Sequence, residues 1–84
     1  MIVVNSKEEL KELINQRIKE QGPKCDLNDI DVSKITDMSY LFIESDFNGD
    51  ISGWDTRNVE TMEDIFTRSA LGEHEPEWWF RHRE

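Results

Sequence analysis

Residues 31–42 and 55–66 carry one phrase written twice. Set at an offset of 24, Asp31 falls on Asp55, Met38 on Met62 and Phe42 on Phe66, while Ile35 meets Val59 and Leu41 meets Ile65. A large apolar residue, Ile30 or Trp54, precedes each block, and the same offset carries Ile51 back to Leu27 and then to Val3. No other feature constrains the fold as much. A period of this length belongs to units of roughly 20–29 residues that each lay down one short strand and one helix or turn, and such units bury their apolar faces only by stacking on a neighbour.

The segment before the repeats reads as strand then helix. Met1 to Val4 is a short apolar run with three β-branched residues, and Asn5-Ser6 followed by Glu9 forms a capping box, so a helix starts near Lys7. Leu10, Ile14 and Ile18 recur at helical spacing, with Leu13 and Arg17 beside them, and Gly22-Pro23 ends the helix. In the repeats, Met38, Leu41, Phe42 and Met62, Ile65, Phe66 follow i, i+3, i+4 spacing, which predicts short helical turns over 36–43 and 60–70. The expected fold is α/β: a short leucine-rich-repeat-like solenoid with three short parallel strands, near Val3, 27–30 and 51–54. One domain spans 1–84, with a strand–helix cap at 1–22, two 24-residue repeats at 26–66 and an aromatic C-terminal cap at 67–84.

Size and charge narrow the function. A chain of 84 residues forms one domain with a small core. No stretch reaches the ~18 apolar residues of a membrane span, and the first residues carry neither a basic region nor a long apolar one. With one cysteine there is no intramolecular disulfide, and a reducing, cytoplasmic setting is expected. The net charge is −9, all of it accumulated over residues 26–64, where eleven acidic side chains meet only Lys34 and Arg57. A surface of that sign does not bind a phosphate backbone directly.

The repeat phrases also have a family likeness. Residues 31–42 together with Phe47-Asn48-Gly49-Asp50-Ile51-Ser52-Gly53-Trp54-Asp55 resemble the unit of the BspA-type leucine-rich-repeat surface proteins, whose tandem units read close to FNGDISGWDVSNVTDMSYMF. The resemblance covers 26–66 and rests on the Trp-Asp pair, the Met-x-x-x-Phe spacing and the Asn-Gly-Asp turn occurring together and in order; Pro76-Glu77-Trp78-Trp79 is similar to the aromatic phrase that closes such arrays. It implies a right-handed solenoid and a protein-interaction role, often in bacterial adhesion, with no catalysis. This chain reads as a small stand-alone relative of bacterial or phage origin.

Three sets of residues invite a functional reading. Equivalent strand-edge carboxylates would stack into a ladder of like charge, and Asp29, Asp31, Asp50 and Asp55, bordered by Tyr40, Trp54 and Trp79, form the expected face for a basic protein partner. In a sharper form that partner is a nuclease or another nucleic-acid-binding protein, inhibited by carboxylates standing where phosphates bind. The second set is Glu44, Asp46, Asn48, Asp50 and Asp55, which with Gly49 approximates a calcium loop, although Glu at the first position and the short Asp at the last depart from it; the repeat explains the same letters as a turn. A surface-adhesion fragment is the third reading. His74 and His82 lack companion ligands, Cys25 lacks a nearby base, and no residues suggest an active site or a cofactor.

Overall fold

Ser6 starts the main helix as its sequence implies. In the computed structural model, which describes residues 1–83, strand β1 (Ile2–Val3) leads into helix α1 (Lys7–Gln21). Ser6 Oγ accepts from the Glu9 N–H at 3.2 Å, and Glu9 Oε1 accepts in return from the Asn5 N–H at 2.7 Å, so the capping box is closed from both sides. At the other end Gly22 takes φ 91° and donates its N–H to the Ile18 carbonyl, a left-handed stop that suits a residue without Cβ. Leu10 and Ile14 are buried against the repeats, with Leu13 and Ile18 packed at the margin.

The three-stranded solenoid does not form. β1 pairs in parallel with β2 (Ile30–Asp31), Ile2 opposite Ile30 and Val3 opposite Asp31, and that is the whole sheet among the described residues. Residues 51–54 make no strand; the second repeat meets the first through single parallel bridges, Asp26 with Asp50 and Asp37 with Thr61. A short 3₁₀ turn at Ala70–Glu73 and helix α2 (Glu77–Arg83) complete a small mixed α/β fold. None of the described helices is long and apolar enough to cross a membrane.

The helical turns expected at 36–43 and 60–70 are rows of tight turns instead. In the first row, Leu41, Ile43 and Ser45 donate backwards to Met38, Tyr40 and Phe42, while Met38, Tyr40, Phe42 and Glu44 donate outwards to the carbonyls of Thr61, Glu63, Ile65 and Thr67 at 2.9–3.0 Å. Alternate amides thus close their own turn and bind the next row, a pattern that leaves no i to i−4 ladder. Tyr40, Glu44, Asp64 and Arg68 adopt φ between 53° and 61°, and a left-handed residue at every fourth position breaks a right-handed helix. These four positions obey the repeat, Tyr40 with Asp64 and Glu44 with Arg68, so the backbone as well as the side chains repeats at 24.

The core is an aromatic file. Phe42, fully buried, lies 5.2 Å from Phe47, 6.0 Å from Trp54 and 5.9 Å from Phe66, ring centre to ring centre. Trp78 extends the file at 6.2 Å from Trp54 and 6.1 Å from Phe66, and Trp79 meets Phe66 edge-on at 5.4 Å. Stacked and tilted pairs at these separations add about 0.5–1.5 kcal/mol each beyond the area they bury. Gly49 lies where the rows approach most closely: a Cβ there would stand 1.8 Å from the Cys25 carbonyl oxygen. Only glycine fits.

Candidate interaction surface

Aspartate begins most of the turns, and that use decides where the charge goes. Oδ1 of Asp26, Asp31, Asp37, Asp50 and Asp55 each accepts from the N–H two residues on, that of Asn28, Ser33, Ser39, Ser52 and Arg57, at 2.8–3.2 Å. A short carboxylate does this because it mimics the carbonyl of a backbone turn. Two of the pairs are repeat equivalents, Asp26 above Asp50 and Asp31 above Asp55. The carboxylates are therefore turn-formers first, a role that the stacked-charge reading of the sequence did not identify; the signal was present in the recurrence of Asp two residues before Asn, Ser or Arg.

Hydrogen bonding favours the ionised form of Asp31, Asp37, Asp50 and Asp55. Ser33, through its hydroxyl and its N–H, holds Asp31 below the usual carboxylate range, and Ser52 with Asn28 does the same for Asp50. Arg57 lowers Asp55, while the like charge of Asp31 pushes it the other way. Asp37 is held lowest, by Ser39 first, then by Thr61 and Lys7. Lys7 Nζ reaches Asp37 Oδ2 at 3.3 Å and both the carbonyl and hydroxyl of Ser39 at 3.2 Å, tying α1 to the first row.

The expected partner-binding residues do not all remain available. Asp29 is held in a two-pronged pair by Arg17, at 3.0 and 2.6 Å, which lowers its pKa and offsets its charge. Asp55 is paired with Arg57 at 3.0 Å. Asp26, Asp31 and Asp50 have no ion pair among the described residues. Trp54 is buried, its indole N–H donating to the Leu27 carbonyl at 2.9 Å, so it presents no ring to a partner. Tyr40 is exposed beside the Lys7 ammonium at 6.0 Å, and Trp79 is half-buried on Phe66. Beyond Asp55 the surface changes sign: a cleft of about 370 Å³ is lined by Trp54, Asp55, Thr56, Arg57, Trp78, Arg81 and His82, with Thr56 Oγ1 and His82 Nε2 3.0 Å apart.

The oxygens of the calcium-like segment are not gathered. Glu44 pairs with Arg68 at 3.3 Å, Asp50 serves the Ser52 turn, Asp55 serves the Arg57 turn, Asp46 is exposed, and the Asn48 N–H is spent on the Pro23 carbonyl. No group of three His, Cys, Asp or Glu side chains among the described residues is placed to hold a metal ion. Cys25 is buried, and burial raises its thiol pKa, which disfavours the thiolate a nucleophile needs.

The family described as "Mycoplasma protein of unknown function, DUF285" matches residues 8–79. The chain belongs to that family. The DUF285 match takes in α1 from its second residue, both rows of turns and the two stacked tryptophans, so the repeat register and its aromatic file lie within it. Neither the curated proteins nor the solved structures contain a match to the chain.

Proposed function

We propose that this chain is a non-catalytic protein-binding module whose repeat-borne carboxylates meet a basic protein surface. One observation carries the reading: Asp26, Asp31 and Asp50 serve turns through Oδ1 and form no ion pair among the described residues, and Asp26 and Asp50 are exposed with Asp31 half-buried, so the fold that positions them leaves carboxylate charge at the surface. Turn geometry fixes the side chains in advance, which lowers the ordering cost of binding. The resemblance of the repeat phrases to BspA-type surface repeats, which implies an interaction role without catalysis, supports this reading. In its narrower form the partner is a nucleic-acid-binding protein whose Lys and Arg side chains accept carboxylates in place of phosphates.

Asp→Asn is the diagnostic change, because the amide oxygen of Asn still accepts the turn hydrogen bond while the charge is removed. Proteins captured on the immobilised chain should elute with rising salt and be identified by mass spectrometry. The triple variant Asp26→Asn, Asp31→Asn, Asp50→Asn should lose them while remaining folded at the temperature of capture, with a lower melting temperature because the turn bonds at Asp31 and Asp50 are no longer charge-assisted. Equal capture by the variant, with the same salt dependence, would rule out the acidic-surface reading.

A further inference from the structure

The second row of turns ends in a strip of unused donors. Ile65, Thr67 and Ser69 close their own turns by donating to Met62, Asp64 and Phe66, as their counterparts do in the first row. The alternate amides of Met62, Asp64, Phe66 and Arg68 correspond to those of Met38, Tyr40, Phe42 and Glu44, which in the first row donate outwards to carbonyls 23 residues on. Among the described residues nothing accepts from the second set. Beside the strip runs a shallow groove of about 240 Å³, lined by Asp64, Ile65, Phe66, Thr67, Glu75 and Trp79. The Trp79 indole nitrogen is also buried without a hydrogen-bond partner, and a donor hidden from water in this way costs free energy until it is satisfied.

We propose that the amides of Met62, Asp64, Phe66 and Arg68 form a docking strip for a segment of another protein, laid parallel to residues 61–69 with its carbonyls at alternate residues on the strip. The occupant follows from continuity: this edge is the outward face of the interface that already joins the two rows, and it offers donors only, because the adjacent carbonyls of Met62, Asp64 and Phe66 are engaged in their own turns. Backbone pairing of this kind supplies affinity, and the groove floored by Phe66 and Trp79 selects an apolar side chain. A second copy of this chain is a poor occupant. Among its matching carbonyls, those of Asp37, Ser39, Leu41 and Ile43, that of Ser39 is already occupied by Lys7 Nζ of α1 at 3.2 Å. Glu63, Asp64 and Glu75 around the strip favour a segment without acidic side chains. The strip is separate from the Asp26, Asp31 and Asp50 carboxylates.

The test titrates the full ¹⁵N-labelled chain with a synthetic peptide that copies the sequence of residues 55–69 but carries Asn or Gln in place of Asp55, Glu60, Glu63 and Asp64, so that its backbone has the spacing that the strip accepts and its side chains carry no acid. The amides of Met62, Asp64, Phe66 and Arg68 and the Trp79 indole N–H should shift, and their hydrogen exchange should slow at least tenfold at saturation, while the amides of Ile65 and Thr67 change little. A scrambled peptide should do neither. The proposal is overturned if millimolar peptide leaves the alternate amides unchanged, or if the scrambled peptide acts equally. It is also overturned if those amides become protected simply on raising the protein concentration, which would make a second copy the occupant.

Discussion

Trp54 and Trp78 repeat one geometry. Trp54 Nε1 donates to the Leu27 carbonyl at 2.9 Å and Trp78 Nε1 to the Ile51 carbonyl at 2.8 Å, donor and acceptor both advancing by 24. The rings stack at 6.2 Å with 15° between planes. The register that sequence comparison traces to Phe66 therefore runs on to Trp78 in three dimensions.

Trp54→Phe and Trp78→Phe should each cost about 1–3 kcal/mol, since each removes a buried hydrogen bond and part of a packed ring, although the Leu27 and Ile51 carbonyls still accept from the Ile30 and Trp54 N–H groups. Because the rings touch, the double variant should depart from additivity by at least about 0.5 kcal/mol. Urea unfolding midpoints of the four proteins measure both quantities.

Gly49→Ala should be among the most damaging small changes in the chain. The added methyl would meet the Cys25 carbonyl oxygen at 1.8 Å, and that oxygen also accepts the Asp50 N–H at 3.4 Å, so relief of the clash parts the two repeats. A loss of about 3 kcal/mol or more is expected, a large share of the stability of a domain this small. A thermal melt that matches the parent chain would show that the rows do not approach so closely.

At Tyr40, Glu44, Asp64 and Arg68 the usual order of substitution should invert. Left-handed backbone penalises a Cβ by about 1–2 kcal/mol, so the Gly variant should be more stable than the Ala variant at each position by roughly 1 kcal/mol. In ordinary right-handed segments Ala is the better residue. Paired melting curves at the four sites test this, and Ala-favoured stability at all of them would contradict the turn rows.

Acid should unfold the protein through its turn aspartates. Asp29, Asp31, Asp37, Asp50 and Asp55 all titrate below the ordinary carboxylate value in the folded chain, so in the acid range the unfolded chain binds more protons. Their contribution is fully present above the unfolded value of about 4 and is lost as pH falls through the depressed folded values. Stability should be nearly level from pH 7 to about 5 and then decline. Asp37→Asn should shallow that decline, which urea unfolding at a series of pH values would reveal; an unchanged slope would remove Asp37 from the account.

Much of α1 was legible because its signals are local. Ser6, Glu9, Leu10, Ile14 and Gly22 act within one or two helical turns, and cap, face and stop all appear where the spacing puts them. The turn rows were not legible in the same way. Met38, Leu41 and Phe42 fit the apolar side of a helix as well as the inward side of a turn row, and the difference lies in amides that find their acceptors 23 residues away. For the candidate surface, the sequence identifies the aspartates of the repeat but not which of them keep a free charge. Arg17, twelve residues from Asp29 and on another element, takes that one out of the expected face.

The sequence by itself determines that there is a repeat, its 24-residue period, the capped helix before it and the segment that holds the acidic charge. Those are properties of residue types at short or regular spacing. Only the tertiary structure decides that, among the described residues, the sheet stops at two strands, Trp54 faces inward, and Asp26, Asp31 and Asp50 form no ion pair. The physical reason is the same in each case. Backbone amides and buried rings are satisfied by partners more than twenty residues away, and the geometry of that second row chooses between helix and turn, and between core and surface.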